Sequence, residues 1–259
     1  VMSLAPCFEA AFLKSLRSLE LGFYRPLYAP YAQKSKDELV ELLHVQNDLR
    51  IFCVFECLRK GVSVEQIHEI TKIDLWFLRK FRDIVKKEEE LQADGESILQ
   101  NGEALRQWKV LGFSDRAIGE LTNTTEQEVR RIRKQAGILP VYNMVDTCAG
   151  EFQAKSDYYY SSYGISDEAT CGQRKTVVVL GSGPIRIGQG VEFDYCSVHC
   201  VWALKKLGYD TVIINNNPET VSTDFDTADR LYFEPLTEEE VLNVLEKERP
   251  YGVFVQFGG

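Results

Sequence analysis

The chain shows two different hydrophobic periods along its length. From Ser35 to about Gly137 the apolar residues recur at helical spacing, which predicts an all-helical region. The predicted helices cover residues 36–44, 48–60, 64–71, 74–92, 103–111, 115–121 and 125–136. Glycines at 61, 95, 112 and 137 are predicted to end helices, and Ser63 with Gln66 and Thr125 with Glu128 to cap helix starts.

A different pattern begins near Lys175. The uncharged run Thr176–Leu180, rich in β-branched residues, predicts a strand buried on both faces. A glycine-rich loop follows, then a helical pattern from about Val191 to Gly208 and a second apolar strand at 211–214. Strand, loop, helix and strand in this order are typical of a parallel, doubly wound α/β domain. A strand at 231–233, a helix at 238–248 and a strand at 252–257 continue it.

The loops after the first two of these strands are candidates for a ligand site. They cover residues 181–190 and 215–226, and the carboxyl ends of neighbouring parallel strands meet at one edge of a sheet. We therefore expect the two loops to lie side by side. Several acidic residues crowd this predicted edge: Glu192, Asp194, Glu219, Asp224 and Asp226. Because magnesium sites usually also need substrate phosphates, we interpret these acids as turn and helix caps and predict no metal site.

The glycine loop also raises the alternative of a nucleotide-binding, Rossmann-like module. A dinucleotide fingerprint requires the spacing G-x-G-x-x-G, whereas Gly181, Gly183 and Gly188 follow G-x-G-x-x-x-x-G. The second strand ends in asparagines at 215–217 rather than in the acid that would hold a ribose. The spacing therefore argues against NAD.

A degenerate repeat in the helical region raises a second alternative. Gly61, Ser63, Ile67, Glu69 and Thr71 recur 51 positions later as Gly112, Ser114, Ile118, Glu120 and Thr122. The second copy, followed by the basic helix 125–136, has the form of a DNA-binding helix-turn-helix. Its net charge is only +1, with five basic and four acidic side chains, so it is poorly suited to phosphate contacts. We therefore favour a packed helical domain.

Composition excludes several classes of function. The chain has 259 residues, 44% of them hydrophobic, and a net charge of −9, which argues against nucleic-acid and membrane-surface partners. No run approaches the roughly 18 to 20 apolar residues of a membrane span, and the segment beginning at Val1 does not have the form of a signal peptide. Seven scattered cysteines and three dispersed histidines predict packed thiols in a reducing cytoplasm, without a metal site or a catalytic histidine.

Tyrosines at 158, 159, 160 and 163 interrupt the polar stretch between the two regions. Because positive charge is missing beside them, these tyrosines are not suited to stack against the bases of single-stranded nucleic acid. We interpret 151–174 as a connector lying on its neighbours.

Long, ordered motifs then give a specific resemblance. They are GPIRIGQGVEFDY at 183–195, NPETVSTDFD at 217–226, IDLWFL at 73–78, VDTCAGEF at 145–152 and FEAAFLKSLRSLE at 8–20. Together they resemble the large subunit of carbamoyl phosphate synthetase. That family has two homologous halves, each a small α/β domain followed by an ATP-grasp module, with a helical oligomerisation domain between them.

The resemblance implies a multidomain α plus α/β fold. Residues 1–22 are expected to be the tail of the first ATP-grasp module, 23–150 an all-α oligomerisation domain, 151–174 the connector and 175–259 a Rossmann-like pre-ATP-grasp domain that continues beyond the chain. The implied parent is a cytoplasmic ligase that makes carbamoyl phosphate for arginine and pyrimidine biosynthesis. It uses bicarbonate, glutamine-derived ammonia and ATP, with Mg or Mn and K.

The implied partners are a glutaminase subunit or domain and further copies through the helical domain. The implied role of this segment is oligomerisation, allosteric relay and one side of an internal carbamate passage, carried onto Gly190, Glu192 and Glu219. No catalytic, cofactor-binding or metal residue is assigned, and the segment is expected to be inactive alone.

Overall fold

A computed structural model of the chain describes residues 1–185 and 192–255, without the side chains of 192 and 193. The chain forms two compact units. One unit combines Val1–Gly22 with Ile138–Gly259, and the other is Phe23–Gly137. The second unit is therefore inserted in sequence between two parts of the first.

The unit Phe23–Gly137 is helical throughout its regular elements, as its hydrophobic period predicts. Its helices are α2 (Ala29–Ala32), α3 (Lys36–Leu42), α4 (Arg50–Arg59), α5 (Val64–Thr71), α6 (Leu75–Gln100), α7 (Gly102–Val110), α8 (Asp115–Leu121) and α9 (Glu126–Gln135).

Two predicted helix starts are confirmed in detail. The Ser63 hydroxyl accepts a hydrogen bond from the Gln66 backbone N–H at 3.1 Å, and the Thr125 hydroxyl accepts one from the Glu128 N–H at 3.2 Å. In the repeat, the Ser114 hydroxyl caps α8 by accepting from Ala117 N–H at 3.1 Å, as Ser63 caps α5. These bonds satisfy backbone donors that a helix start otherwise leaves exposed.

The helix breaks where Gly95 is predicted to end it. Helix α6 consists of two helical segments joined at a kink at Asp94, the residue before Gly95, where the backbone leaves helical geometry. A Cβ atom added to Gly95 would lie 2.6 Å from Cγ2 of Thr122, the residue that ends α8. The glycine therefore permits close packing of two helices, a long-range role that its local sequence does not reveal.

A buried ion cluster joins three helices of this unit. Asp115 and Arg133 have fully buried side chains, and the Arg133 Nε donates to both carboxylate oxygens of Asp115 at 2.7 and 2.9 Å. Lys109, also buried, donates to Asp115 Oδ1 at 2.8 Å. Arg133 of α9 is buried against Asp115 and is therefore not available to contact a DNA phosphate. This weakens the helix-turn-helix alternative.

The other unit is built on a six-stranded, mostly parallel sheet in the order β1-β2-β5-β4-β3-β6. Among the strand pairs of the described residues, β1–β2 is antiparallel and the others are parallel. The elements are α1 (Phe8–Ser18), β1 (Val141–Met144), β2 (Tyr158–Ser162), β3 (Thr176–Leu180), α10 (Glu192–Lys206), β4 (Asp210–Asn215), β5 (Arg230–Phe233), α11 (Glu238–Glu248) and β6 (Gly252–Phe254). Residues 176–180, 210–215 and 230–233 fall where the sequence predicts strands.

The tyrosine-rich segment differs from its prediction as a connector. It contains β2, which pairs with β1 and, in parallel, with β5. Tyr159 is buried, and its ring lies 5.6 Å from that of Tyr232, which also meets Tyr142 at 4.9 Å. Aromatic residues suit a strand of this kind, but its partner strand lies about 70 positions away, so the local pattern does not show the pairing. Ile138–Gly150 likewise groups with the sheet.

We expect replacement of Asp115 by Asn to destabilise the helical unit strongly. The change removes the carboxylate charge that both Lys109 and Arg133 contact in the interior, which costs about 3–5 kcal/mol. Thermal unfolding followed by circular dichroism measures this. Glu128→Gln is the control, because its ion pair with Arg131 is exposed and should leave the midpoint nearly unchanged. Equal midpoints for the two variants would contradict the assigned role of the buried cluster.

Candidate functional site

Two loops meet at the carboxyl edge of the parallel sheet. This agrees with the prediction from the sequence, as far as the first loop is described, to residue 185. Strands β3 and β4 pair in parallel from Thr176 with Asp210 to Leu180 with Ile214. The Gly181 N–H then donates to the Ile214 carbonyl at 2.9 Å. This last ladder bond sets the start of the glycine loop against the end of β4.

Asn215 organises the junction between the two loops. Its side chain is fully buried. Its Oδ1 accepts hydrogen bonds from the backbone N–H of Gly183 at 3.2 Å and of Asn216 at 2.9 Å, and its Nδ2 donates to the Ser222 hydroxyl at 3.2 Å. One amide side chain thus ties the glycine loop to two points of the second loop.

Close packing on Gly181 keeps that amide in place. A Cβ atom at Gly181 would lie 2.5 Å from Cγ and 2.7 Å from Nδ2 of Asn215. A Cβ atom essentially never makes contacts that short, so only glycine leaves room for the amide. Glycine is therefore required at position 181 for a steric reason, independently of any nucleotide-binding fingerprint.

The second loop is held by bonds within itself. The Glu219 N–H donates to Asn217 Oδ1 at 3.0 Å, and a short 3-10 helix follows at Val221–Thr223. The Thr227 hydroxyl donates to the Val221 carbonyl at 2.6 Å. Helix α10 joins this arrangement through Asp194, whose Oδ2 accepts from the Ser222 N–H at 3.1 Å. The second loop is therefore held by hydrogen bonds and is not a flexible linker.

The predicted site residues have different outcomes. Glu219 lies in the second loop with an exposed side chain. Glu192 is the first residue of α10, at the same edge, but its side chain is outside the described part of the chain. Gly190 also lies outside the described residues. Asp224 and Asp226 are exposed. Across residues 1–185 and 192–255, no three His, Cys, Asp or Glu side chains are grouped to hold a metal ion.

Sequence reasoning missed one contributor to this edge, the segment Val1–Glu20. The Asn216 Nδ2 donates to the Ser18 carbonyl at 3.1 Å, and the Asn216 carbonyl accepts from the Met2 N–H at 2.9 Å. Glu20 lies against Gly183 of the glycine loop. Lys14 of α1 is buried and a buried cation requires a partner, but this burial is visible only in the folded chain.

Comparisons with known proteins cover the full chain. A family model of the carbamoyl-phosphate synthetase large-chain oligomerisation domain matches residues 1–137. A second, of the carbamoyl phosphate synthase preATP-grasp domain, matches residues 173–259 and so includes both loops. The chain belongs to the carbamoyl phosphate synthetase large-chain family. The family identity favours this interpretation over both alternatives raised by the sequence.

Similar proteins named carbamoyl phosphate synthase large chain come from bacteria and an archaeon. The chain is 52% identical to that of Clostridium botulinum strain Loch Maree and 51% identical to that of Thermoanaerobacter pseudethanolicus, over 259 residues in each case. It is 50% identical over 263 residues to that of Archaeoglobus fulgidus. All of this chain is covered in each comparison, and it spans 24% of the length of each relative. None of the helices in the described parts of the chain has the length and apolar character of a membrane span.

We expect Gly181→Ala to destabilise the sheet unit of this synthetase segment by about 1–3 kcal/mol, because the new methyl group overpacks against Asn215. Thermal unfolding provides the measurement. Gly252→Ala in β6 is the matched control, since no atom of the described residues lies within 4 Å of its Cβ position. If the two alanine variants unfold at the same temperature, the close approach of Gly181 and Asn215 is not a constraint on the site.

Proposed function

We propose that this chain is the central segment of a carbamoyl phosphate synthetase large chain. The observation that carries the proposal is the roughly 50% identity to named large chains over all 259 residues, including both loops of the sheet edge. The proposed parent joins bicarbonate, ammonia released from glutamine by a glutaminase subunit or domain, and ATP. It is a cytoplasmic ligase that serves arginine and pyrimidine biosynthesis and uses Mg or Mn and K with its ATP.

Within that parent we assign the segment a supporting role. By sequence we assign residues 1–22 to the tail of the first ATP-grasp module, 23–150 to the oligomerisation domain, 151–174 to a connector whose strand β2 joins the sheet, and 175–259 to the pre-ATP-grasp domain of the second half. Residues 1–22 and 138–150 pack in the sheet unit. The all-helical unit supports association of copies and relay between them. The segment contributes no catalytic residue and is inactive alone.

The sheet edge is proposed to form one side of a carbamate passage through Gly190, Glu192 and Glu219. Carbamate decomposes in water, so an enclosed route preserves it between two reaction centres. The position of Glu192 at the start of α10 and the exposed carboxylate of Glu219 in the second loop support a shared location. Gly190 is proposed to leave the space through which the small anion moves.

We expect Gly190→Leu in the full-length large chain to slow carbamoyl phosphate synthesis, because the side chain fills that space. Bicarbonate-dependent ATP hydrolysis in the first half should continue. Both rates are measured on the same preparation with bicarbonate, ammonia and ATP. Gly190→Ala, which adds one methyl group, should have the smaller effect.

The outcomes separate two proposals. Wild-type rates in both reactions of Gly190→Leu would overturn the passage assignment. A wild-type large chain that makes no carbamoyl phosphate under these conditions would overturn the function itself.

A further inference from the structure

Helix α10 carries a strip of aromatic side chains on its outer face. Tyr195, His199 and Trp202 follow one another at helical spacing, and all three side chains are exposed, Tyr195 by 61% and Trp202 by 43%. The ring centroids of Tyr195 and His199 lie 4.0 Å apart, and those of His199 and Trp202 lie 5.2 Å apart. We call these three residues the α10 strip, because their rings form one continuous surface.

The inner face of α10 accounts for its packing on the sheet. Val201 and Leu204 are buried in a core cluster with Val177 of β3 and Ile213 of β4, and Val198 is also buried. The buried positions and the strip lie on different sides of the helix, because successive residues are about 100° apart. The rings of the strip are therefore not needed to hold α10 on the sheet.

The strip lacks the charges that normally cover the solvent side of a surface helix. Residues 195–204 contain no Asp, Glu, Lys or Arg. Helix α11, which packs on the same sheet, exposes Glu238 and Glu246 instead. A helix that is apolar on all sides is normally buried on all sides. The composition of α10 therefore indicates that its outer face is covered in the protein to which it belongs.

The second loop extends the apolar surface on one flank of α10. Two hydrogen bonds hold the loop to the helix: the Ser222 N–H donates to Asp194 Oδ2 at 3.1 Å, and Lys205 Nζ donates to the Thr227 carbonyl at 3.0 Å. Phe225 lies in the loop between these two points and is 82% exposed. Single exposed apolar side chains are common, whereas a group of them indicates an interaction surface.

The size of this surface indicates what kind of partner covers it. A helix of 15 residues is about 22 Å long and about 10 Å wide, so its outer face covers roughly 200 Å². Separate proteins that associate stably bury about 800 Å² each. Phe225 does not close this gap, since one aromatic side chain buries about 150–250 Å². The surface is too small for stable association of separate chains, but it suffices for a domain that is already tethered.

We propose that the α10 strip and Phe225 form a docking surface for a domain of the same large chain that lies outside residues 1–259. The inference rests on the proposed function, because it requires the longer parent. The chain spans 24% of the length of its relatives, so most of a parent of that size lies outside it. The docked surface should be apolar, with a carbonyl or carboxylate acceptor for the indole N–H of Trp202.

Hydroxyl-radical footprinting of the full-length large chain, prepared without a glutaminase, tests the proposal. Mass spectrometry then measures the oxidation rate of each aromatic side chain. We expect Tyr195 and Trp202 to be oxidised as slowly as the buried Tyr142 and Trp108. Rates well above those of the buried pair overturn the proposal. Protection that is lost when the chain is diluted to monomers also overturns it, because the cover is then a second copy.

A charge placed on the strip should open the contact. Trp202→Glu removes a buried aromatic anchor and buries a carboxylate, so docking should weaken by at least about thirtyfold. Tyr195 should then be oxidised several times faster than in the wild type. Ile165→Glu is the control, because Ile165 is 97% exposed and lies outside the strip, so Tyr195 should keep its wild-type rate. Equal Tyr195 rates in the two variants overturn the proposal.

The footprint separates the docking surface from the proposed function, because it requires no activity. A wild-type chain that makes no carbamoyl phosphate defeats the proposed function, and the oxidation rates of Tyr195 and Trp202 still decide on the docking surface. If Trp202→Glu does not fold, the footprint of the wild type decides alone.

Discussion

The sheet unit depends on a buried ion pair, because a charge that is buried in a protein requires a partner of opposite charge. Glu234 is fully buried at the end of β5, and the ammonium that neutralises it comes from Lys14, more than two hundred residues earlier. Breaking such a pair by removing one member costs about 3–5 kcal/mol, a large fraction of the stability of a domain. The N-terminal segment is therefore a structural part of the sheet unit, and the helical unit is inserted between two parts of one fold.

The same rule explains the interior of the helical unit. Asp115 sits between Lys109 and Arg133, and all three side chains are buried. The basic residues of α9 therefore differ in role: Arg133 is part of the packed interior, and Arg131 is exposed to solvent. Its exposed Arg131 is paired with Glu128 on the same helix, so the surface charge is balanced locally. This distribution agrees with the match of residues 1–137 to the oligomerisation-domain family better than with a DNA-binding module.

The sequence pattern correctly predicted those features of the fold that depend on residues close together in the chain. Helical periods, capping residues and the apolar strand β3 belong to this group, and the order of β3, α10 and β4 was correct. Features determined by distant contacts were missed. Gly95 follows the helix break that it predicts, but its close packing on Thr122 was not visible in the local sequence. The strand β2 pairs with β5, which follows β3, α10 and β4 in the chain, and the tyrosines of β2 give no sign of this partner.

The candidate site shows the same division. The sequence placed the two loops at one edge, because parallel strands bring their carboxyl ends together. It did not show that Asn215 bonds both loops or that Ser18 closes the second one. Those bonds join residues up to 198 positions apart, and only the three-dimensional fold brings them into contact.

Native-state hydrogen exchange on α1 tests the central claim most directly. If α1 is an integral part of the sheet unit, the Leu13 and Leu16 amides exchange through the same large opening as Val212 and Ile213 in β4. Lys14→Met should then lower the opening free energy of all four by about 3 kcal/mol. Lys247→Met, at a more exposed ion pair with Asp167, should change none of them appreciably. Rapid, independent exchange of α1 in the wild type, with β4 still protected, would contradict the account.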